Sequence, residues 1–508
     1  MKFELSELQK SSIEKLRSMN AAILALSPGC GKTLCVLCHV KDDLLKDNNH
    51  KCILFIPKSA RAAFKKELST KLEIPENDYI FVTAGKTIKY EDISNKRYII
   101  VENSVVNKYI EDLVALASTN TCHLVIDEAH SLQNPKSVFA SAAWEIRCYC
   151  KKIIAMTATP LLNDIEGLFN VLHFVYPRVF QSWFKFRARY CITQDRTIRM
   201  KNRFGAVIQR KITEIVGYQN MKELNDVLDK LIIKGCVHYN VNFNFLECDL
   251  DKECEKLYTM AAKGFFDILY HPEKVKKKSK KKDGEPGSPV DDAKDFGARV
   301  HDLQRIIDTK DNDESFVTNK MKLLLSTVKE IIDRNESTLI YFVYIDSLER
   351  AEQLLLEHKS EIGFNNIYRL TGAEKEDYRA KIESNLGLKD IILCSQAASQ
   401  SRNLQRSNNI ICFHCDWSIG RVIQTLGRVC RMDSTYDQQN IYFISVKDTI
   451  DTYKTSLFKS HKALISTLLG SEALGTLDSL DDQCNYIDVD LGAEKKMLKD
   501  NMLWRRTK

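Results

Sequence analysis

Apolar positions along the chain come in two rhythms. One is the short unbroken run of a strand buried on both faces: residues 21–26 (AAILAL), 52–56 (CILFI, closed by Pro57), 98–101 (YIIV), 124–126 (LVI) and 152–156 (KIIAM). The other recurs every three or four positions, as in residues 3–17, where Leu5, Leu8, Ile13 and Leu16 are the inward positions, and again in residues 60–68. Short apolar runs alternating with amphipathic stretches predict a parallel sheet covered by helices on both faces. Ligands in such sheets collect at the C-terminal ends of the strands. The theme repeats later, with helices over residues 320–332 and 347–357 and strands over 338–343, 368–370 and 391–394, the middle strand leading to Thr371-Gly372. Residues 166–231 read as mostly helical and rich in aromatic and basic side chains (Trp183, Phe184, Lys185, Phe186, Arg187, Arg189, Tyr190). That stretch is either a protrusion touching a polyanion or a helical core with a solvated basic face.

A chain of 508 residues is too long for one core and should hold two or more domains, and the strand–helix alternation makes its fold class α/β. Hydrophobic residues at 44% and charged residues at 28% are the proportions of a soluble globular protein. No apolar run approaches the ~18 residues of a membrane span, and the opening MKFELSELQK lacks the apolar core of a signal peptide. Sixteen cysteines without such a signal imply reduced thiols in cytosol or nucleus. Cys35-x-x-Cys38-His39 and Cys412-x-His414-Cys415 are spaced somewhat like metal ligands, but each lies in an apolar helix or strand, where core packing is the better reading. A net charge of +7 permits a polyanionic partner and adds little, being spread over the whole length. Residues 274–282 (KVKKKSKKK) carry seven lysines and run into a Pro/Gly segment, so they cannot pack. They read as a surface insertion: an import signal, a non-specific DNA contact or a solvated linker.

The chemistry begins where the first strand ends. Ser27-Pro28-Gly29-Cys30-Gly31-Lys32-Thr33 separates that strand from a helix. Gly29 and Gly31 let backbone N–H groups curl around an anion, and the helix adds the positive end of its dipole. Lys32 is placed for β/γ-phosphates and the Thr33 hydroxyl for Mg²⁺. Leu26 stands where the longer form of this motif has its first Gly. Gln9, 23 residues before Lys32, carries an amide suited to an adenine edge, although alone it is an ordinary exposed helical residue. After the strand at 124–126 comes Asp127-Glu128-Ala129-His130. Asp127 is placed to hold Mg²⁺ and Glu128 to orient and deprotonate water. Thr157-Ala158-Thr159-Pro160 follows another strand end, with hydroxyls able to link the acidic box to a nucleic-acid track. On a helix, Arg428 and Arg431 of Gln424-Thr425-Leu426-Gly427-Arg428-Val429-Cys430-Arg431 share a face and could reach a γ-phosphate as arginine fingers.

These boxes resemble motifs I, II, III and VI of superfamily-two helicases, in order and at fitting distances. Residues 127–134 (DEAHSLQN) and 157–163 (TATPLLN) resemble the Swi/Snf-type ATPases more narrowly. Residues 166–174 with Pro177, and Pro57-Lys58-Ser59 with Phe64 and Glu67, continue that pattern, Phe64 standing where a Trp is usual. Asp416-Trp417 matches the approach to motif VI, and Thr449-Ile450-Asp451 with Lys459 and Lys462 the closing segment. Two departures are Lys234-Gly235 in place of a paired Arg before the crossover of residues 231–258, and Ala398, Ser399 and Ser401 in place of the glycines around Asn403-Leu404 of motif V. The compact size and those lost glycines resemble the baculovirus global transactivator proteins.

The resemblance implies two RecA-like lobes with parallel sheets covered by helices, plus helical insertions. Residues 1–231 would form the ATP-binding lobe with its protrusion, 232–315 the crossover with the Lys-rich insertion near 272–292, 316–470 the second lobe, and 471–508 a tail. ATP and Mg²⁺ would be held by Gln9, Ser27, Pro28, Gly29, Cys30, Gly31, Lys32, Thr33 and Asp127, with Glu128, Gln424, Arg428 and Arg431 acting in hydrolysis. The implied activity is nucleic-acid-stimulated ATP hydrolysis driving translocation on duplex DNA in a nucleus, in regulation of viral transcription. The transcription machinery is a further implied partner and a membrane is not. Two alternatives stay open: an idle ATPase-like scaffold that recruits transcription factors, and a strand-separating helicase.

Overall fold

A computed structural model describes residues 4–158 except 28 and 48, 165–235 except 202–206, 240–270, 300–371, 385–395, 407–416 and 438–455, with single positions at 374, 378, 382, 422 and 458. Two parallel sheets organise them.

The first sheet has seven strands: β1 Ala21–Leu26, β2 His50–Ile56, β3 Tyr79–Val82, β4 Tyr98–Glu102, β5 Thr121–Ile126, β6 Lys152–Met156 and β9 Ile232–Gly235. They lie in the order β3-β4-β2-β5-β6-β1-β9. Alternate residues of each strand feed two separate cores. Ile23, Ala25, Ile53, Phe55, Leu124 and Ile126 pack under the helices Ile110–Thr119, Val138–Arg147 and Ile165–Val175. Ala22, Leu24, Leu26, Leu54, Val125 and Ile154 pack under α1 (Glu7–Ser18) and α2 (Lys32–Leu44). Burial on both faces is why these strands read as continuous apolar runs.

The second sheet holds β10 Asn240–Cys248, β11 Thr338–Phe342, β12 Ile367–Leu370, β13 Ile391–Ser395, β14 Asn409–Cys412 and β15 Gln438–Val446, in the order β10-β15-β14-β11-β13-β12. Its helices include Asn319–Asp333 and Ile345–Glu357.

Several expectations change on the coordinates. Residues 166–231 are not mostly helical. After the helices Ile165–Val175 and Trp183–Tyr190 come β7 Cys191–Lys201 and β8 Val207–Tyr218, an antiparallel ribbon, and only then the helix Met221–Leu231. β-branched residues at Ile192, Thr193, Thr197 and Ile198, and at Val207, Ile208, Ile212, Thr213, Ile215 and Val216, favour the extended form, and the interspersed basic residues conceal that signal. The first helix starts at Glu7 rather than residue 3, because Ser6 and Gln9 form a capping box that fixes its first turn. The helix expected over 60–68 is Arg61–Lys66, preceded by a tight turn at Lys58–Ala60 and extended by a wide turn at Glu67–Lys71. The four-residue β3 went unanticipated.

Candidate nucleotide site

Three consecutive strands, β5, β6 and β1, end side by side. Parallel pairing sets Leu24 against Met156 and Ala155 against Ile126, so Asp127, Thr157 and Ser27 follow one another across the sheet's C-terminal edge. Thr157 is fully buried, and its N–H donates to Leu24 O at 3.1 Å.

The loop after β1 takes its shape from its glycines. Gly29 and Gly31 sit at φ +83° and +78°, where an L side chain is strained. Gly31 has a second reason to lack a side chain, since an added Cβ would lie 2.5 Å from Gln9 Nε2. Gly31 is also the residue before α2, and it caps nothing with a side chain; no carboxylate occupies the helix's first turn. The leading N–H groups therefore keep their affinity for an anion. Lys32 Nζ folds onto the loop, donating to Leu26 O at 2.8 Å and Ser27 O at 3.3 Å. Phosphate oxygens are the stronger acceptors for the same ammonium.

Two flanking elements brace this loop. Gln9 of α1 donates from Nε2 to Cys30 O at 3.2 Å while its Oε1 accepts from Ser6 N at 3.0 Å. The structure thus brings Gln9 onto the phosphate loop, and sequence alone carried the signal in the Ser6-x-x-Gln9 spacing. From the other side, Ser27 N donates to Gly235 O at 3.0 Å, tying the loop to β9. Nothing in the sequence announces that contact.

Asp127 is buried, and its N–H donates to Phe55 O at 2.8 Å. Burial raises its carboxyl to about 7; neighbouring Glu128 raises it too, and the Lys32 ammonium pulls it back. Glu128 adopts φ +51°, a left-handed conformation costing a non-glycine about 1–2 kcal/mol. Its Oε2 lies 3.2 Å from His130 Nδ1. Asn170, on the helix Ile165–Val175, donates to Gln133 O at 2.7 Å and so fixes the loop that follows the acidic box.

Hard oxygen donors suit Mg²⁺, and a buried carboxyl near a phosphate loop with a half-buried Thr33 hydroxyl is such a set. Pro28, Thr159, Pro160, Asn163, Trp417, Gln424, Arg428, Arg431, the motif V residues 398–404, Gly372, Lys459, Lys462, the lysine run and the tail all lie outside the described residues.

Both thiols of the first faint metal pattern pack into the core under α2, where burial pushes Cys35 up to about 12 and Cys38 up to about 11. His414 spends both ring nitrogens: Nδ1 accepts from Val343 N at 3.2 Å, leaving Nε2–H to donate to Asp308 at 2.6 Å. Asp308 belongs to a buried ionic group under the second sheet, where Lys320 Nζ lies 2.8 Å from both Asp308 and Asp451. Asp308 and Lys320 lie twelve residues apart and join His414 and Asp451 from distant segments, so periodicity does not reveal the group.

Residues 9–288, more than half of the chain, match the SNF2-related domain. The chain belongs to this family. Residues 319–433 match the helicase conserved C-terminal domain. Among curated relatives, a Bacillus subtilis protein named uncharacterized ATP-dependent helicase YqhH is 21% identical over 499 residues, covering 91% of this chain and 78% of its own. The Schizosaccharomyces pombe chromatin structure-remodeling complex subunit snf21 is 24% identical over 361 residues, covering 66% of this chain; the match spans only 28% of snf21. Of solved structures, the Sulfolobus solfataricus SWI2/SNF2 ATPase core in complex with dsDNA aligns at 18% identity and TM-score 0.40, over 95% of this chain and 96% of that one. By its two matched domains the SNF2-family chain is helicase-like, and the Ser27–Thr33 loop follows β1 of the first sheet.

Proposed function

We propose that this SNF2-family chain hydrolyses ATP when bound to nucleic acid and uses the cycle to move along duplex DNA. The observation that supports this most is the row of Asp127, Thr157 and Ser27 on adjacent strand ends, with Lys32 beside a buried carboxyl. The loop N–H groups and Lys32 hold the phosphates. Asp127 and Thr33 would hold Mg²⁺, which when bound supplies charge neutralisation between the β- and γ-phosphates. Glu128 takes a proton from water as its oxygen bonds to the γ-phosphorus; the bond to the β,γ-bridging oxygen breaks and ADP leaves. Gln424, Arg428 and Arg431 act on the developing γ-phosphoryl charge. Names of relatives in chromatin remodelling favour DNA as partner, gripped by phosphate contacts and hence salt-sensitive.

Lys32→Ala and Glu128→Gln should each lower DNA-stimulated phosphate release by about a hundredfold or more, with an unchanged far-UV circular dichroism spectrum. Wild-type turnover in either variant overturns the assignment. Comparing ATPase rates on single-stranded DNA, duplex DNA, RNA and nucleosomes, alongside displacement of a tailed strand, separates translocation from unwinding; no turnover on any of them leaves the scaffold reading. The narrower role, regulation of viral transcription in an insect nucleus, is supported by Ala398, Ser399 and Ser401 at the motif V glycine positions. A reporter assay in infected insect cells tests it, and no effect on any viral promoter would exclude it.

A further inference from the structure

At the edge of the first sheet opposite the phosphate loop, a second polar cluster is buried. α2 ends there, presenting His39 and Asp43 on one face at i and i+4. β5 contributes His123, whose register partner on β6 is Lys152. His39 and His123 are essentially inaccessible to solvent, at 0% and 1% exposure. Neither ring nitrogen of His123 has a hydrogen-bond partner, nor has His39 Nδ1. An imidazole so enclosed leaves desolvated donors and acceptors unmet, which is costly unless something else engages them.

The spacing says what would engage them. Asp43 Oδ1 accepts from Lys46, while Oδ2 faces the rings, 3.5 Å from His123 Nε2 and 3.8 Å from His39 Nε2. One ligand atom from each of the three residues lies within 4.8 Å of the others. Ligands about 2.0–2.1 Å from a tetrahedral zinc ion stand roughly 3.3 Å apart, so small shifts close the set. A cation already lies against two of the three: Lys152 Nζ is 3.1 Å from Asp43 Oδ2 and 3.5 Å from His39 Nε2. Burial also lowers the basicity of both imidazoles, to about 4 for His39 and about 3 for His123, which keeps them neutral and able to donate a lone pair.

We propose that His39, Asp43 and His123 form a binding site for a divalent transition-metal ion, zinc by its two-nitrogen, one-oxygen donor set, with the Lys152 ammonium as the competing occupant. The ion would clamp the far end of α2 to β5, roughly two to three helical turns from Lys32 and outside the proposed hydrolytic machinery.

Cobalt(II) added to the purified full-length protein should give the intense visible bands of a tetrahedral site at one equivalent, and zinc should bleach them. His123→Gln and Asp43→Asn should weaken that binding beyond the tenfold to hundredfold loss typical of an outer-sphere partner. Lys152→Met should tighten it about tenfold or more, a response that an ordinary buried ion pair would not give. Far-UV circular dichroism establishes that each variant is folded. No cobalt signal in wild type and Lys152→Met together overturns the site, as does equal binding in His123→Gln and Asp43→Asn, which would assign the metal to cysteines. The readout needs no ATPase assay, so it stands or falls apart from the hydrolysis reading.

Discussion

Asp127 carries two demands that pull against each other. Burial and Glu128 favour its protonated form, which sets the carboxyl near 7, whereas a cation at the site needs the ionised one. A carboxyl whose value rises on folding stabilises the fold most below its unfolded value of about 4, and that contribution fades as pH climbs through 7. The proposed binding of Mg²⁺–ATP would run the other way, because a cation at this carboxyl must displace the proton. Affinity for Mg²⁺–ATP should rise about fivefold between pH 6 and 7, less than about twofold more by pH 8, and level off above that, by calorimetric titration at fixed salt. A flat profile would mean the carboxyl is already ionised. The letters of this site were legible because each residue has one chemical task at a strand end. Its protonation state was not, since that depends on how deeply the fold buries it and how near Glu128 and Lys32 lie.

Among elements, α1, the phosphate loop and β9 behave as one unit. Gln9 holds Cys30 from α1, and Gly235 holds Ser27 from β9. A Cβ on Gly235 would meet Leu8 Cδ1 at 2.4 Å and Leu26 Cδ2 at 3.1 Å. Gly235→Ala should therefore push α1 outward, costing about 1–3 kcal/mol in thermal unfolding and weakening nucleotide binding; adding Leu8→Ala should recover much of both. Unchanged melting and affinity would show that Leu8 yields freely. Strands β1 and β6 matched their runs residue for residue, since burial on both faces keeps their interiors continuously apolar. The β7–β8 ribbon escaped because its alternation is interrupted by Arg196, Arg199, Arg210 and Lys211. β9 escaped because four residues beside a helix carry too little pattern.

Across the whole molecule, the second sheet is secured differently from the first. Its helices meet around Lys320, Asp308, Asp451 and His414, with Ser347 donating to Asp308 Oδ2 at 2.8 Å. Burial opposes the charge on Asp308, yet Lys320 and His414 hold it well below the ordinary carboxylate range. Its contribution to stability is thus present above about pH 4 and lost on acidification. Lys320→Met strands two buried carboxylates and should cost about 3–5 kcal/mol. Hydrogen exchange should then show lost protection in β11, β14 and β15 while β1, β5 and β6 keep theirs. Uniform protection would argue that the carboxylates find other partners. No helix-and-strand reading exposes this group, because Lys320 looks like any polar position of an amphipathic helix and is instead wholly buried.

The backbone oxygen of Gly235 gives the first sheet's last strand a mechanical meaning. β9 pairs with β1 from Ile23–Ile232 to Leu26–Gly235, so tension drawn along the polypeptide beyond it reaches Ser27 before any residue of the acidic box. A tug there would bear first on the Ser27 amide, and so on the shape of the loop that leads into α2.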